Sequence, residues 1–483
     1  MTTFTNFCCR SGGSNLNAGT RTGDTTVPGT TPFKTYASGT WVNATGVFTV
    51  ASGNPLTDGV AVGDFASVYP DAATVTPFVG CVTARNATTI TVSLTAKAGT
   101  APVDGTTNTT LTIGGAWKGP NGSSGFPFGT IQNTLTDASG HLPRVNFMND
   151  ATYSITAQMT HNNNGYSAFQ GFTTTYGDGG KATFDGGTSG TSYNLLNFGS
   201  SVPGAYLVAD LIFQNNGASG SADALLIGGN STFSIVYRCV FNNVRGRAVS
   251  MNNHTLALEC EAYACNQSNT ANIGVFQPAD RGTVAFVRCI AHNNPGSNVN
   301  GFFTGSTARF IGCIADTNGK YGFVTSGQVF IMMINCDSYN NGSDGLLISD
   351  NGNTSGLSAY IENCNFVKNG GWGINTVQTA GDYLTALIVN CAFGTGTQAN
   401  SSGTTSLPSQ TSETGSINYA SGVTPWVAPT TGNFSINLGA AIQAGRGAFT
   451  ETAASYTGTV GYPDIGSAQT RVPRLPMGIE GMM

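Results

Sequence analysis

Apolar residues in the middle of this chain come in short bursts, each ending near a cysteine and followed by asparagine and glycine. From Ile235 to Phe393 the cysteine recurs seven times, at Cys239, Cys260, Cys289, Cys313, Cys336, Cys364 and Cys391. By subtraction of positions the gaps are 21, 29, 24, 23, 28 and 27 residues. Three positions before each stands Val236, Ala257, Phe286, Phe310, Met333, Ile361 or Ile388, apolar every time. Two positions after stands Phe241, Ala262, Ala291, Ala315, Ser338, Phe366 or Phe393. A period in the twenties that tolerates insertions is the mark of a solenoid, with the insertions at turns.

The segments between cysteines are too short, and too rich in Gly, Asn and β-branched residues, for helices. Asn243, Asn266, Asn294, Asn318, Asn341 and Asn369 follow the cysteines, usually with glycine and then an apolar triplet. Asn and Gly tolerate the left-handed backbone of a tight corner, so a corner is expected there, with a strand after it. Parallel strands joined by corners without crossover helices predict an all-β chain, a single-stranded right-handed parallel β-helix with coils about 4.8 Å apart. Leu211 takes the cysteine's place in the coil before Cys239. The row preceding the cysteines begins Arg238, Glu259, Arg288, alternating in sign, and predicts an outward ladder of ion pairs on a solvated face.

Composition supports the stacked architecture. Only 9% of the 483 residues are charged and 66 are glycine, while the 40% that are hydrophobic lie in strand-length runs, which argues against disorder. A net charge of −5 gives no basic footprint for nucleic acid, and no apolar run reaches the ~20 residues of a membrane span. Residues 1–10 lack the basic start and apolar core of a secretory signal, which predicts synthesis and folding in a cytoplasm. Seven of the eleven cysteines fall in one row of small fillers, so free buried thiols are expected rather than disulfides. Cys8, Cys9 and Cys265 lack partners at metal-ligand spacing, and no metal or cofactor is expected. Gly177-Asp178-Gly179-Gly180 occurs once and reads as a plain turn, not a calcium or phosphate loop.

Near the N-terminus the chain resembles pectate-lyase-like β-helix proteins. Their first coil often carries a turn ending Asn-x-Gly-Thr, followed closely by Pro-Phe-x-Thr-Ile-Gln and a short capping helix. The first half stands here at Asn17-Ala18-Gly19-Thr20, the second about a hundred residues on, at Pro127-Phe128-Gly129-Thr130-Ile131-Gln132. The resemblance implies an insertion over residues 23–118 and an N-terminal capping helix over 129–139, with Ile131, Leu135 and Ala138 inward. The run from Arg144 to Gly187 resembles early coils of bacterial and phage β-helix proteins, and Gly461 to Gln469 resembles their closing segment. The domains expected are therefore 1–22, strand and first turn; 23–118, inserted module; 119–400, β-helix; and 401–483, C-terminal loop and cap. Within that last region Gly394–Gly415 reads as a loop. The module shows five short strands, with Trp41, Val47, Val60 to Tyr69, Phe78 to Ala84 and Ile90 among them, and predicts a small antiparallel barrel or sandwich. Trp41, Tyr69 and Phe78 are its candidate sugar platforms, packing against a neighbouring subunit being preferred.

The chemistry legible in the sequence is sparse. Polysaccharide hydrolases need carboxylates roughly 5–10 Å apart, and lyases need a base beside a neutralised uronate. The polygalacturonase-like motifs, the dense Asp clusters of calcium-dependent pectate lyases, the nucleophile elbow and the phosphate loop are absent. One constellation remains, three positions after successive cysteines: Tyr263, His292, Asp316 and Tyr339. Stacked in register, His292 and Asp316 become a candidate acid/base pair between the glycan platforms Tyr263 and Tyr339. The preferred simpler reading is a polar row in which His292 and Asp316 share a hydrogen bond.

The first functional expectation is a structural virion protein of a bacteriophage, a spike, fibre or head decoration assembled in the host cytoplasm. The resemblance implies homo-oligomers, often trimers, other virion subunits as partners, and a host surface glycan as ligand. The second is a polysaccharide lyase or hydrolase, free or as a depolymerising spike. The third is a cell-surface adhesin or filament subunit.

Overall fold

The computed structural model describes residues 4–118, 142–401 and the strands within 412–436, apart from short loop stretches inside these spans. The capping segment 129–139 and the closing segment 461–469 lie outside the described residues. Each coil contributes one strand to each of three parallel sheets, as in Val284–Val287, Ile290–His292 and Val299–Thr304. Among the described residues these sheets have 12, 11 and 10 strands. Phe4–Cys9 pairs in parallel directly with Leu142–Met148, so everything between is inserted into the first coil's connection. At the far end, Gly394–Gly415 is not all loop. Ala399–Ser401 and Ser412–Thr414 extend two of the sheets by another coil. Their Ser- and Thr-rich composition carries no hydrophobic alternation to announce them.

The cysteine rows stack as the repeat requires. Val236, Ala257, Phe286 and Phe310 are register partners on successive coils, as are Phe241, Ala262, Ala291 and Ala315. Both rows and all seven cysteines belong to one continuous core, with Leu211 buried ahead of Cys239. The thiols fit because six of the seven reach a carbonyl of the coil before, as Cys260 Sγ donates to Val236 O at 3.3 Å and Cys289 Sγ to Ala257 O at 3.4 Å. All eleven cysteines are free and buried. Burial pushes the Cys265 thiol up to about 12 and raises Cys289 and Cys313 as well. Thiol titration with an aromatic disulfide reagent is therefore expected to find almost none of the eleven in the native protein and all of them in denaturant.

Each coil turns at two left-handed corners, not one. The first is the residue before the cysteine, with φ of 50° at Arg238, 53° at Glu259 and at Arg288, and 63° at Gly312. The second is Asn243, Ala264, Asn293, Thr317, Asn340 or Lys368, φ 50° to 56°. The buried row lies one position further on, at Val244, Cys265, Asn294, Asn318 and Asn341. Asn243 is therefore a corner residue and Asn266 falls beyond the row. Where asparagine fills the row its amides form a ladder: Asn294 Nδ2 donates to Asn318 Oδ1 at 2.7 Å, Asn318 Nδ2 to Asn341 Oδ1 and Asn341 Nδ2 to Asn369 Oδ1, both at 2.9 Å.

The inserted module is a closed antiparallel barrel. Its strands run in the order Lys34–Val42, Val47–Thr49, Thr89–Ala98, Phe78–Arg85, Phe65–Tyr69, Thr107–Ile113. The sixth, Thr107–Ile113, pairs with both Lys34–Val42 and Phe65–Tyr69 and closes the sheet. Trp41 and Phe78 lie in its core with ring centroids 5.6 Å apart, and Tyr69 is buried too. None of the three presents a ring to solvent, so they hold the barrel together rather than serving as platforms. The module joins the shaft through Phe7, whose ring stacks on Trp117 at 5.1 Å and meets Phe65 edge-on at 4.8 Å. Its two connections lie side by side, Cys8 N donating to Gly19 O and Trp117 N to Cys8 O, each at 2.9 Å.

Candidate functional site

The candidate column stands on the outer face of the eleven-strand sheet. Tyr263 pairs with His292, His292 with Asp316, and Asp316 with Tyr339, in the expected order. The Tyr263 and His292 rings stack at 5.3 Å. The His292–Asp316 hydrogen bond is not formed. His292 Nε2 instead donates to Glu261 Oε1 at 2.9 Å, and Asn293 Nδ2 donates to His292 Nδ1 at 3.0 Å. Asp316 Oδ1 accepts from Thr317 Oγ1 at 2.6 Å. Glu261 escaped the sequence reading because it belongs to the other outward row of its strand and is level with Ile290, not His292. The contact is diagonal, two residues along and one coil over, within reach of a long side chain.

Exposure divides the column. Asp316 and Tyr339 are 5% and 3% exposed, and the Lys368 ammonium lies 5.8 Å from the Tyr339 ring centroid. Tyr339 therefore offers no open platform, and burial raises the Asp316 carboxyl above its ordinary range. Tyr263 and His292 remain half-buried, and the Glu261 side chain is the most open of the group. The hydrogen bond from His292 holds the Glu261 carboxyl below its usual range despite partial burial, with Lys181 adding attraction. What solvent reaches is thus a Glu–His pair beside a tyrosine ring, able to share or pass a proton.

The charged corner row runs along one edge of this face. Arg288 Nη1 reaches Glu259 Oε1 at 3.4 Å, as alternation in sign required. Arg238 pairs with Asp210 on the preceding coil, Nη2 to Oδ2 at 2.8 Å, and its guanidinium lies 4.6 Å from the Tyr237 ring centroid. In the turn beside it, Asp178 accepts backbone N–H bonds from Thr173, Thr174, Thr175 and Gly180. Against a desolvation cost, those donors hold its carboxyl well below the usual range. The loop is a self-clamped turn with its acid consumed internally. Among the described residues no group of three or more His, Cys, Asp or Glu is placed to hold a metal ion, and no helix is long and apolar enough to cross a membrane.

No family model matches this chain, and neither does any curated protein. Among solved structures it is similar to the crystal structure of pectate lyase Pel9A, at 16% identity and a TM-score of 0.44, over 68% of this chain and 87% of that one. The parallel ladders make this chain an all-β parallel β-helix with a small antiparallel barrel inserted after its first strand.

Proposed function

We propose that this chain is a structural virion protein of a bacteriophage, a spike, fibre or head decoration in which the β-helix serves as a stiff shaft. The observation that carries the reading is the unbroken register of the core from Val145 to Ile388, in which thiols and amides are spent on bonds between coils. Such a core resists bending and twisting, and the partners of its polar atoms are internal. The outward row of the twelve-strand sheet supports an assembled state. Beyond the buried Ile235 it runs Leu256, Ala285, Arg309, Met332, Tyr360 and Leu387, with Arg144 three coils before Ile235 in the same row. A mainly apolar outer row suits contact with other virion subunits or with copies of this chain, as in a homotrimer. Antibodies against the purified chain should decorate one repeated position on intact particles in electron micrographs. Particles that lack the chain by mass spectrometry would refute the reading.

The Glu261–His292 pair beside Tyr263 favours one second reading, action on or binding to a surface polysaccharide. A panel of capsule and pectin substrates, assayed for reducing ends and unsaturated products, separates the two. The shaft reading expects no product. Enzymatic action expects product that disappears in His292→Ala while the fold persists, and glycan binding alone would show as retention without cleavage.

A further inference from the structure

The first coils of the shaft enclose an imidazole that is cut off from water. His161 ends the strand Met159–His161 and is level with Phe198 on the next coil of the ten-strand sheet. Its side chain is 0% exposed. The rings of Phe169, Phe198 and Tyr206 surround it at centroid distances of 5.0, 5.6 and 6.2 Å, all close to perpendicular. Nε2 lies 3.1 Å from Ser167 Oγ, and Nδ1 is buried without a hydrogen-bond partner.

The groups facing the ring from Tyr166–Phe172, Leu196–Phe198 and Ala205–Ala209 are one hydroxyl and three aromatic rings. The Tyr206 phenol is itself pushed up to about 12 by burial and stays neutral. Among the described residues no carboxylate lies against the imidazole to balance a proton. Burial alone brings its pKa down from 6.5 to about 3.

We propose that His161 is an acid-sensitive latch: uncharged, it completes the aromatic packing of the first coils, and proton uptake opens those coils ahead of the rest of the shaft. The sign follows from linkage. Unfolded histidine binds its proton near pH 6.5, whereas the closed coils exclude it until far lower pH. The stability is therefore complete above about pH 6.5 and declines on acidification, by up to about tenfold in the opening equilibrium per pH unit. In a solenoid each coil contacts only its neighbours, so the loss stays local. The opened segment, roughly residues 142–213, adjoins the barrel, so acid would free the barrel-bearing end while the thiol-lined coils hold. Asp178 in the same coils keeps its charge well below the usual carboxylate range, whereas burial raises the Asp210 carboxyl at the segment's edge, so a variant that changes His161 alone is what isolates the histidine.

The test is hydrogen exchange of the full chain at pH 7 and pH 5, corrected for intrinsic rates, in the unaltered protein and in His161→Phe, which keeps an aromatic ring in the cluster without a titratable nitrogen. Protection of 142–213 should fall tenfold or more in the unaltered protein, stay constant in His161→Phe, and be unchanged over 284–391 in both. Equal loss in both proteins would overturn the proposal. If His161→Phe fails to fold, selective labelling of the histidines, four in the whole chain, decides instead. A resonance that stays neutral to pH 5 in the closed state upholds the latch, and four resonances titrating near pH 6.5 in the folded protein refute it.

Discussion

Asn341→Leu is expected to lower the unfolding free energy by about 3–5 kcal/mol although leucine keeps the number and branching of the side-chain heavy atoms. The asparagine is a link with bonds on both sides. Its Oδ1 accepts from Asn318 Nδ2 at 2.9 Å and from the Asn318 backbone N–H at 3.0 Å. Its Nδ2 donates to Ala315 O at 3.0 Å and to Asn369 Oδ1 at 2.9 Å. Leucine leaves the Asn318 donors and the Ala315 carbonyl buried without those partners, each group costing about 1–3 kcal/mol. The row itself accepts apolar members, since Cys265 and Val244 occupy it three and four coils earlier, where asparagine is not the neighbour on both sides. The cost is thus a property of the ladder, not of the site. Denaturant titration of Asn341→Leu beside Val244→Leu checks this: a comparable loss in both would make volume, not hydrogen bonding, the cause.

Phe302→Ala is expected to cost about 3–5 kcal/mol, through lost burial and a cavity its neighbours cannot close. Phe302 is 0% exposed and stands where two aromatic stacks meet. Its ring stacks between Phe276 at 5.1 Å and Phe323 at 4.9 Å, and meets Phe286 and Phe310 near perpendicular at 5.5 and 5.8 Å. Those four side chains are fixed by strands in register, so collapse into the vacated space would break the coil spacing. Phe302→Leu should lose less than half as much. A thermal or denaturant midpoint for the two variants suffices, and equal losses would contradict the cavity account.

The β-helix was legible because stacking turns one structural position into a sequence row. The apolar positions around Cys239 to Cys391 repeat for the same physical reason each time. The first corner was hidden because its occupants, Arg238, Glu259 and Arg288, look like ordinary surface charges. Gly312, Asn335, Asn363 and Asn390, further along, are the members that favour positive φ. Thr107–Ile113 escaped notice since a barrel-closing strand of threonines shows only Leu111 and Ile113 as apolar. In the candidate column the order of Tyr263, His292, Asp316 and Tyr339 followed from the period alone. The hydrogen bonds did not, because a side chain four or five bonds long chooses among several rows. Glu261 won over Asp316 by being open and able to reach, while Thr317 holds a carboxylate oxygen of Asp316.

The adjacency of Gly19 and Trp117 against Cys8 gives the barrel a two-stemmed socket at the tip of the shaft. A foreign module with closely spaced termini could be grafted between these stems without shifting the pairing of Phe4–Cys9 with Leu142–Met148. Recombination could therefore exchange whole heads at this joint while the rod beneath is inherited intact.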